Sequence, residues 1–211
     1  MIHNIQIKDQ AFVLHCSGVV FWKDQDMLLI SDVHIGKVSH FRKYGMAVPE
    51  AAIFENFNRL REVCDYFNPG RIVFLGDLFH SKINNEWHLF SAWAKESAAE
   101  ITLVEGNHDI IARRNYTDLG IQIFQELEID RFLLTHIPEK TEGFFNFCGH
   151  IHPGIYLRGM GRQSLRLRCF LQTKDQMVLP AFGEFTGNFY IAPEEGDIVY
   201  AITENEVLLV S

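Results

Sequence analysis

The sequence lacks any apolar run approaching the roughly 18 residues that a bilayer span needs, which argues against a membrane protein. Its first residues, Met1-Ile-His-Asn-Ile-Gln-Ile-Lys8, lack the basic-then-apolar order of a secretory leader, so a cytoplasmic setting is expected. Cysteine is sparse: Cys16, Cys64, Cys148 and Cys169 form no Cys-x-x-Cys pair and read as reduced, mostly buried thiols. An excess of basic charge is also missing. The formal net charge is -8, so long-range attraction to nucleic acid is not a property of the whole chain. One absence is local. From Gly143 to Lys174 there is no acidic residue, while Arg158, Arg162, Arg166, Arg168 and Lys174 all fall there. This is either a basic face or a solvated strand surface with scattered arginines.

What is present suits a soluble globular fold. Apolar residues make up 47% and aromatics 13%, enough for a sizeable core across the 211 residues. Short strand-like runs open the chain, and Met27 to Ile30 is the last of them. Helical spacing follows Gly36 to about Tyr44, and recurs after Pro49 at Ile53, Phe57, Leu60, Val63, Cys64 and Phe67. Arg71 to Leu75 reads as a strand, Asn84 to about Ser97 as a helix, and Ile101 to Val104, Arg131 to Thr135 and Phe145 to Cys148 as strands. Beyond Cys148 only strands and turns are expected. Without a repeat, linker or low-complexity tract, residues 1–211 read as one domain of sheets covered by helices.

The chemistry gathers at strand exits. Asp32 and His34, Asp77, Asn107, His136, and His150 and His152 each follow an apolar strand, where α/β sheets place their sites. In extended backbone residues i and i+2 share a side, so Asp32-Val-His34 and His150-Ile-His152 can each face one centre. Imidazole, carboxylate and amide oxygen together suit borderline ions, Mn²⁺ first, with Fe or Zn²⁺ as alternatives to it. Seven ligands are too many for one ion and suit two that share a bridge, and Asp77 is the central carboxylate. Two divalent ions less two carboxylates and a hydroxide leave about +1, which attracts a phosphate diester.

This ordered set resembles the calcineurin-like metallophosphoesterase superfamily. The resemblance implies an α/β fold, a β-sandwich of mixed sheets flanked by helices in four αββα layers. It also implies that Asp32, His34, Asp77 and His152 hold one metal and that Asp77, Asn107, His136 and His150 hold the other. His108, in Gly106-Asn-His-Asp109, would contact the phosphate and protonate or stabilise the leaving oxygen. Further stretches look like one branch: Gly36-Lys-Val-Ser-His-Phe-Arg-Lys-Tyr-Gly45 with Val48-Pro49-Glu50, Gly76-Asp-Leu-Phe-His-Ser81 with Asn85-Glu-Trp87, Leu165-Arg-Leu-Arg-Cys-Phe170, and Leu179-Pro-Ala-Phe-Gly-Glu-Phe-Thr-Gly187. They resemble the bacterial ligase-associated DNA-damage-response phosphoesterases, described as endonucleases, which implies association with ligase or helicase repair factors. Ile137 stands where that branch would have glutamate, and Arg168 where it would have proline.

The expected activity is a metal-dependent phosphodiesterase, with a hydroxide between the ions attacking phosphorus in line and nucleic acid as the substrate. The alternatives are a hydrolase of small phosphoesters or nucleotide pyrophosphates, and a non-catalytic interaction module. Lys37, His40 and Arg42 either reach a substrate phosphate or line an exposed helix face. His80 either lines the site or bonds to a group behind it. Arg158 and Arg166 are the candidate nucleic-acid contacts of the basic stretch. Asp109 either orients His108 or caps the following helix.

Overall fold

The computed structural model describes the whole chain except residues 46, 48, 50, 160–162, 185 and 211 and the side chains of Lys43, Ala51 and Ala52. Val48, Glu50 and Arg162, singled out above, therefore lie outside the described residues. The first sheet runs in chain order: β1 (Ile2–Ile7), β2 (Gln10–His15), β3 (Val20–Trp22), β4 (Met27–Ile30), β5 (Arg71–Leu75), β6 (Glu100–Val104) and β7 (Gln122–Phe124). Its first half is an antiparallel meander, and β4 to β7 are parallel. The helices α1 (Lys37–Lys43), α2 (Ala51–Phe67), α3 (Glu86–Glu96) and α4 (Arg113–Thr117) lie in the connections between β4 and β7.

The second sheet contains β8 (Leu127–Ile129), β9 (Phe132–Leu134), β10 (Phe145–Cys148), β11 (Pro153–Arg158), β12 (Ser164–Gln172), β13 (Gln176–Val178), β14 (Phe189–Tyr190), β15 (Ile198–Ile202) and β16 (Val207–Leu209). Its spatial order is β14-β11-β12-β13-β10-β9-β8, with β15 and β16 branching from β12. Within it β9, β10 and β13 are parallel. Short elements such as α4, β7, β8 and β14 carry too few periodic positions to stand out in the sequence.

Alternation explains why the central strands are apolar throughout. Ile72 and Phe74 of β5 face the helices with Phe57, Leu60, Trp87 and Phe90, while Val73 and Leu75 face the second sheet. Between the sheets Phe12, Trp22, Phe132 and Phe147 close the core, with ring centroids 4.7–5.4 Å apart. The sandwich of mixed sheets flanked by helices is present. The buried apolar side chains of α2, α3 and α4 belong to the core of the first sheet. On the far side of the second sheet, Ile155, Cys169, Val199 and Ala201 pack among strand residues and Ile191, with no helix over them among the described residues. The reason is topological, since all four helices arise in the crossovers that join the parallel strands of the first sheet.

Phe147 is fully buried between the sheets. Replacing it with alanine should lower unfolding stability by about 3–5 kcal/mol, read from denaturant titration.

Candidate metal centre

The five strand exits named from sequence converge at one edge of the sandwich, past the carboxyl ends of β4, β5, β6, β9 and β10. Asp32, His34, Asp77 and His136 are buried, His152 is half-buried, and Asn107, His108 and His150 are exposed. In one cluster the Nε2 atoms of His34 and His152 are 3.5 Å apart, and lie 3.9 and 3.1 Å from Asp32 Oδ1. In the other, His136 Nε2 lies 3.4 Å from Asp77 Oδ1, 2.9 Å from Asn107 Oδ1 and 3.2 Å from His150 Nδ1. Asp77 joins them, because its Oδ2 is 3.9 Å from His34 Nε2. Asp32 is also close to both, falling in one donor group with His34 and His152 and in another with Asp77 and His136.

The donor chemistry fits a cation. Leu75 O accepts from His136 Nδ1 at 3.0 Å, and Gly187 O accepts from His152 Nδ1 at 3.2 Å. Each Nε2 is thereby left as a lone pair aimed at carboxylate or amide oxygens. Asp32 Oδ1 is buried without a hydrogen-bond partner. Acceptors packed against acceptors repel unless a positive charge lies among them. Burial keeps His34 neutral and able to donate its lone pair, pushing it down to about 3 against the opposing pull of Asp32. Burial likewise lowers His150.

The backbone that aims these groups is not extended. Asp32, His34, Asp77, His150 and His152 all have φ between 50° and 67°, the left-handed region. The same-side rule for extended residues therefore does not apply to the two histidine-containing pairs. Asp32 and His34 converge, whereas His150 turns to His136 and His152 turns to His34. The conformation is held by main-chain bonds. Asp32 N–H donates to Gly76 O and His34 N–H to Asp77 O, while the amides of His108 and His150 donate to Asp77 Oδ1 and Asp32 Oδ2 at 2.8 and 2.9 Å. Ser31 Oγ also donates to Asp32 Oδ2. Gly149 has no side chain because Ser31 and Asp32 occupy that space.

The loop before β14 borders the site. Phe182 N–H donates to Ser31 O and Gly183 N–H to Asp32 O, and Gly187 supplies the carbonyl behind His152. A side chain on Gly183 would run into the Val33 carbonyl. Asp109 neither caps α4 nor bonds to His108. Its carboxylate accepts from the amides of Phe79 (3.2 Å) and Gly106 (2.9 Å), tying the β5 and β6 exits together, and burial raises it to about 6.

Of the candidate substrate contacts, Lys37 and His80 lie beside the clustered ligand candidates and His40 lies against His80, while Arg158 and Arg166 belong to β11 and β12. Lys37 is close enough for the charges of Asp32 and Asp77 to act on it, although burial outweighs them and lowers it. His80 stacks on His108 with centroids 5.6 Å apart, and His40 meets His80 edge-on at 5.1 Å. Arg42 is solvent-exposed on α1. Sequence reasoning gave no role to Glu86, which is 3% exposed. It accepts from Gly36 N–H (2.8 Å) and Ser39 Oγ (2.5 Å) and so fixes the start of α1, which carries Lys37 and His40. An acidic residue opening a predicted helix was the available signal, but its partner is 50 residues away.

Gly183→Ala should weaken divalent-metal affinity by roughly 10- to 100-fold, as loss of groups behind metal ligands does. Gly187→Ala, where an added Cβ meets nothing within 4 Å, should leave it unchanged. Calorimetric titration of the metal-free proteins checks both.

Comparison with known proteins follows the same lines. Residues 27–185 match the family profile described as calcineurin-like phosphoesterase. The crystal structure of Pseudomonas putida nuclease MPE superposes with a TM-score of 0.82 at 27% identity, covering 100% of both chains. A phosphoesterase from E. coli, Yfce, gives a TM-score of 0.45 at 16% identity, over 87% of this chain and 97% of its own. No curated protein matches. The chain belongs to the calcineurin-like phosphoesterase family and is a metal-dependent phosphoric ester hydrolase.

Proposed function

We propose that the chain, taken as one catalytic unit, hydrolyses phosphodiester bonds of nucleic acid with two divalent ions, Mn²⁺ foremost. The observation that carries the reading is the double cluster around Asp77, whose two carboxylate oxygens face different imidazoles. Asp32, His34, Asp77 and His152 would hold one ion, and Asp77, Asn107, His136 and His150 the other. When bound, the ions supply Lewis acidity and a water of lowered pKa. The nucleic-acid assignment draws on the likeness to a protein described as a nuclease and on the motifs outside the centre. A role in DNA repair, beside ligase or helicase factors, rests on those motifs alone.

The remaining work falls to side chains at the rim. Lys37, which feels the charges of Asp32 and Asp77, would attract and orient a phosphoryl group. His108 is exposed and turned toward His34, with ring centroids 5.9 Å apart, so its imidazole can meet the departing oxygen from the solvent side. There it hands over a proton as the phosphorus–oxygen bond breaks. His80, stacked behind His108, holds the ring in that direction.

Wild type, Asp77→Asn and His108→Ala should be assayed with Mn²⁺ on bis(4-nitrophenyl) phosphate and on DNA. Asp77→Asn should lose at least about 100-fold on both substrates, exceeding the usual loss for groups behind the ligands. His108→Ala should lose about 10²–10⁴-fold on DNA and much less on the nitrophenyl ester, whose leaving group needs no proton. Metal-dependent turnover of the small diester with no cleavage of any nucleic acid would favour the small-phosphoester reading instead. Absence of all turnover would overturn the enzyme assignment.

A further inference from the structure

Beyond His152, a proposed metal ligand, the chain runs directly into β11, and one face of β11 and β12 has an unusual composition. Side chains alternate across a strand, so Gly154, Tyr156 and Arg158 share one face. Their cross-strand partners on β12 are Arg168, Arg166 and Ser164. Tyr190 of β14 lies beside Gly154, whose missing side chain leaves room for its ring. The rings of Tyr156 and Tyr190 stand 4.3 Å apart, and the Arg166 guanidinium lies over them at 5.0 and 5.7 Å. Tyr156 remains 42% exposed. The register therefore resolves the basic stretch into a face bearing Arg158, Arg166 and two tyrosines, on a chain whose net charge is -8.

We propose that Tyr156, Tyr190 and Arg166 form a stacking platform for an unpaired nucleobase, while a phosphodiester of the same strand lies at the metal centre. The inference rests on the nucleic-acid reading and adds to it a binding subsite and a requirement for an unstacked base. Three observations select this occupant. An exposed tyrosine, backed by the half-buried Tyr190 and joined to a guanidinium, offers both apolar ring surface and positive charge, the combination that binds bases and backbone together. The stretch from residue 143 to 174, which supplies Tyr156 and Arg166, contains no carboxylate of its own to repel a phosphate. The platform is also continuous with the site, because Phe189 N–H donates to His152 O and Ile191 N–H to Gly154 O. From Pro153, the residue after His152, three strand steps of ~3.3 Å lead to Tyr156, about 10 Å along β11. A base inside a duplex has both faces covered, so only an unpaired or extruded base can lie on Tyr156.

The test compares wild type, Tyr156→Ala and Tyr156→Phe on single-stranded DNA and on bis(4-nitrophenyl) phosphate with Mn²⁺. Tyr156→Ala should raise KM for DNA by roughly 5- to 150-fold, the range for loss of one stacked base. Tyr156→Phe should behave as wild type, and all three should turn over the small diester equally. An abasic site is then moved through the positions flanking the scissile bond. At one position it should weaken wild type by the same factor, and it should have no further effect on Tyr156→Ala. If Tyr156→Ala cleaves DNA with an unchanged KM, or responds to every abasic position as wild type does, the platform is wrong while the nuclease reading stands. If wild type hydrolyses the small diester but no nucleic acid, both fail.

Discussion

Everything at this centre depends on backbone held in a conformation that non-glycine residues seldom adopt. Asp32, His34, Asp77, His150 and His152 all sit in the left-handed region. Such residues are disfavoured by about 1–3 kcal/mol each and persist only where the surroundings over-determine them. Here the surroundings are the two sheets. Parallel pairing of β4 with β5 and of β5 with β6 brings three exits together on one side. Pairing of β9 with β10 does the same on the other. The buried aromatic core between the sheets fixes the distance across the gap, so the stability of that core sets the precision of the site.

A second constraint is that the carboxylates are held by main-chain amides from other strand exits. The His108 amide binds Asp77, and the His150 amide binds Asp32. The β4 and β5 carboxylates are thus oriented by the exits of β10 and β6. Outside them Glu86, Asp109 and the loop ending at Gly187 each hold one exit in place through main-chain bonds. These supports explain why the site can keep acceptors packed against acceptors until a cation neutralises them.

Much of this was legible in the sequence for a specific reason. Apolar strands that are buried on both faces read clearly, and a ligand placed directly after each one marks the sheet edge. Asp77 after Ile72 to Leu75 is the plainest case. The direction of each ligand was not legible, since the left-handed turns at Asp32 and His150 depend on partners more than 40 residues away. The contribution of Glu86 was hidden for the same reason, and the role of Asp109 because one of its partners, Phe79, belongs to another strand exit. The face carrying Tyr156, Arg166 and Tyr190 needed the strand register, because sequence alone could not say which arginines point the same way.

At the heart of the proposed mechanism is Asp77 joining two metal half-sites. Crystals equilibrated with Mn²⁺ and measured for anomalous scattering test that most directly. Two peaks are predicted, one beside His34 and His152 and one beside Asn107, His136 and His150, with an Asp77 oxygen bound to each. A single peak, or two peaks of which Asp77 touches only one, would contradict it.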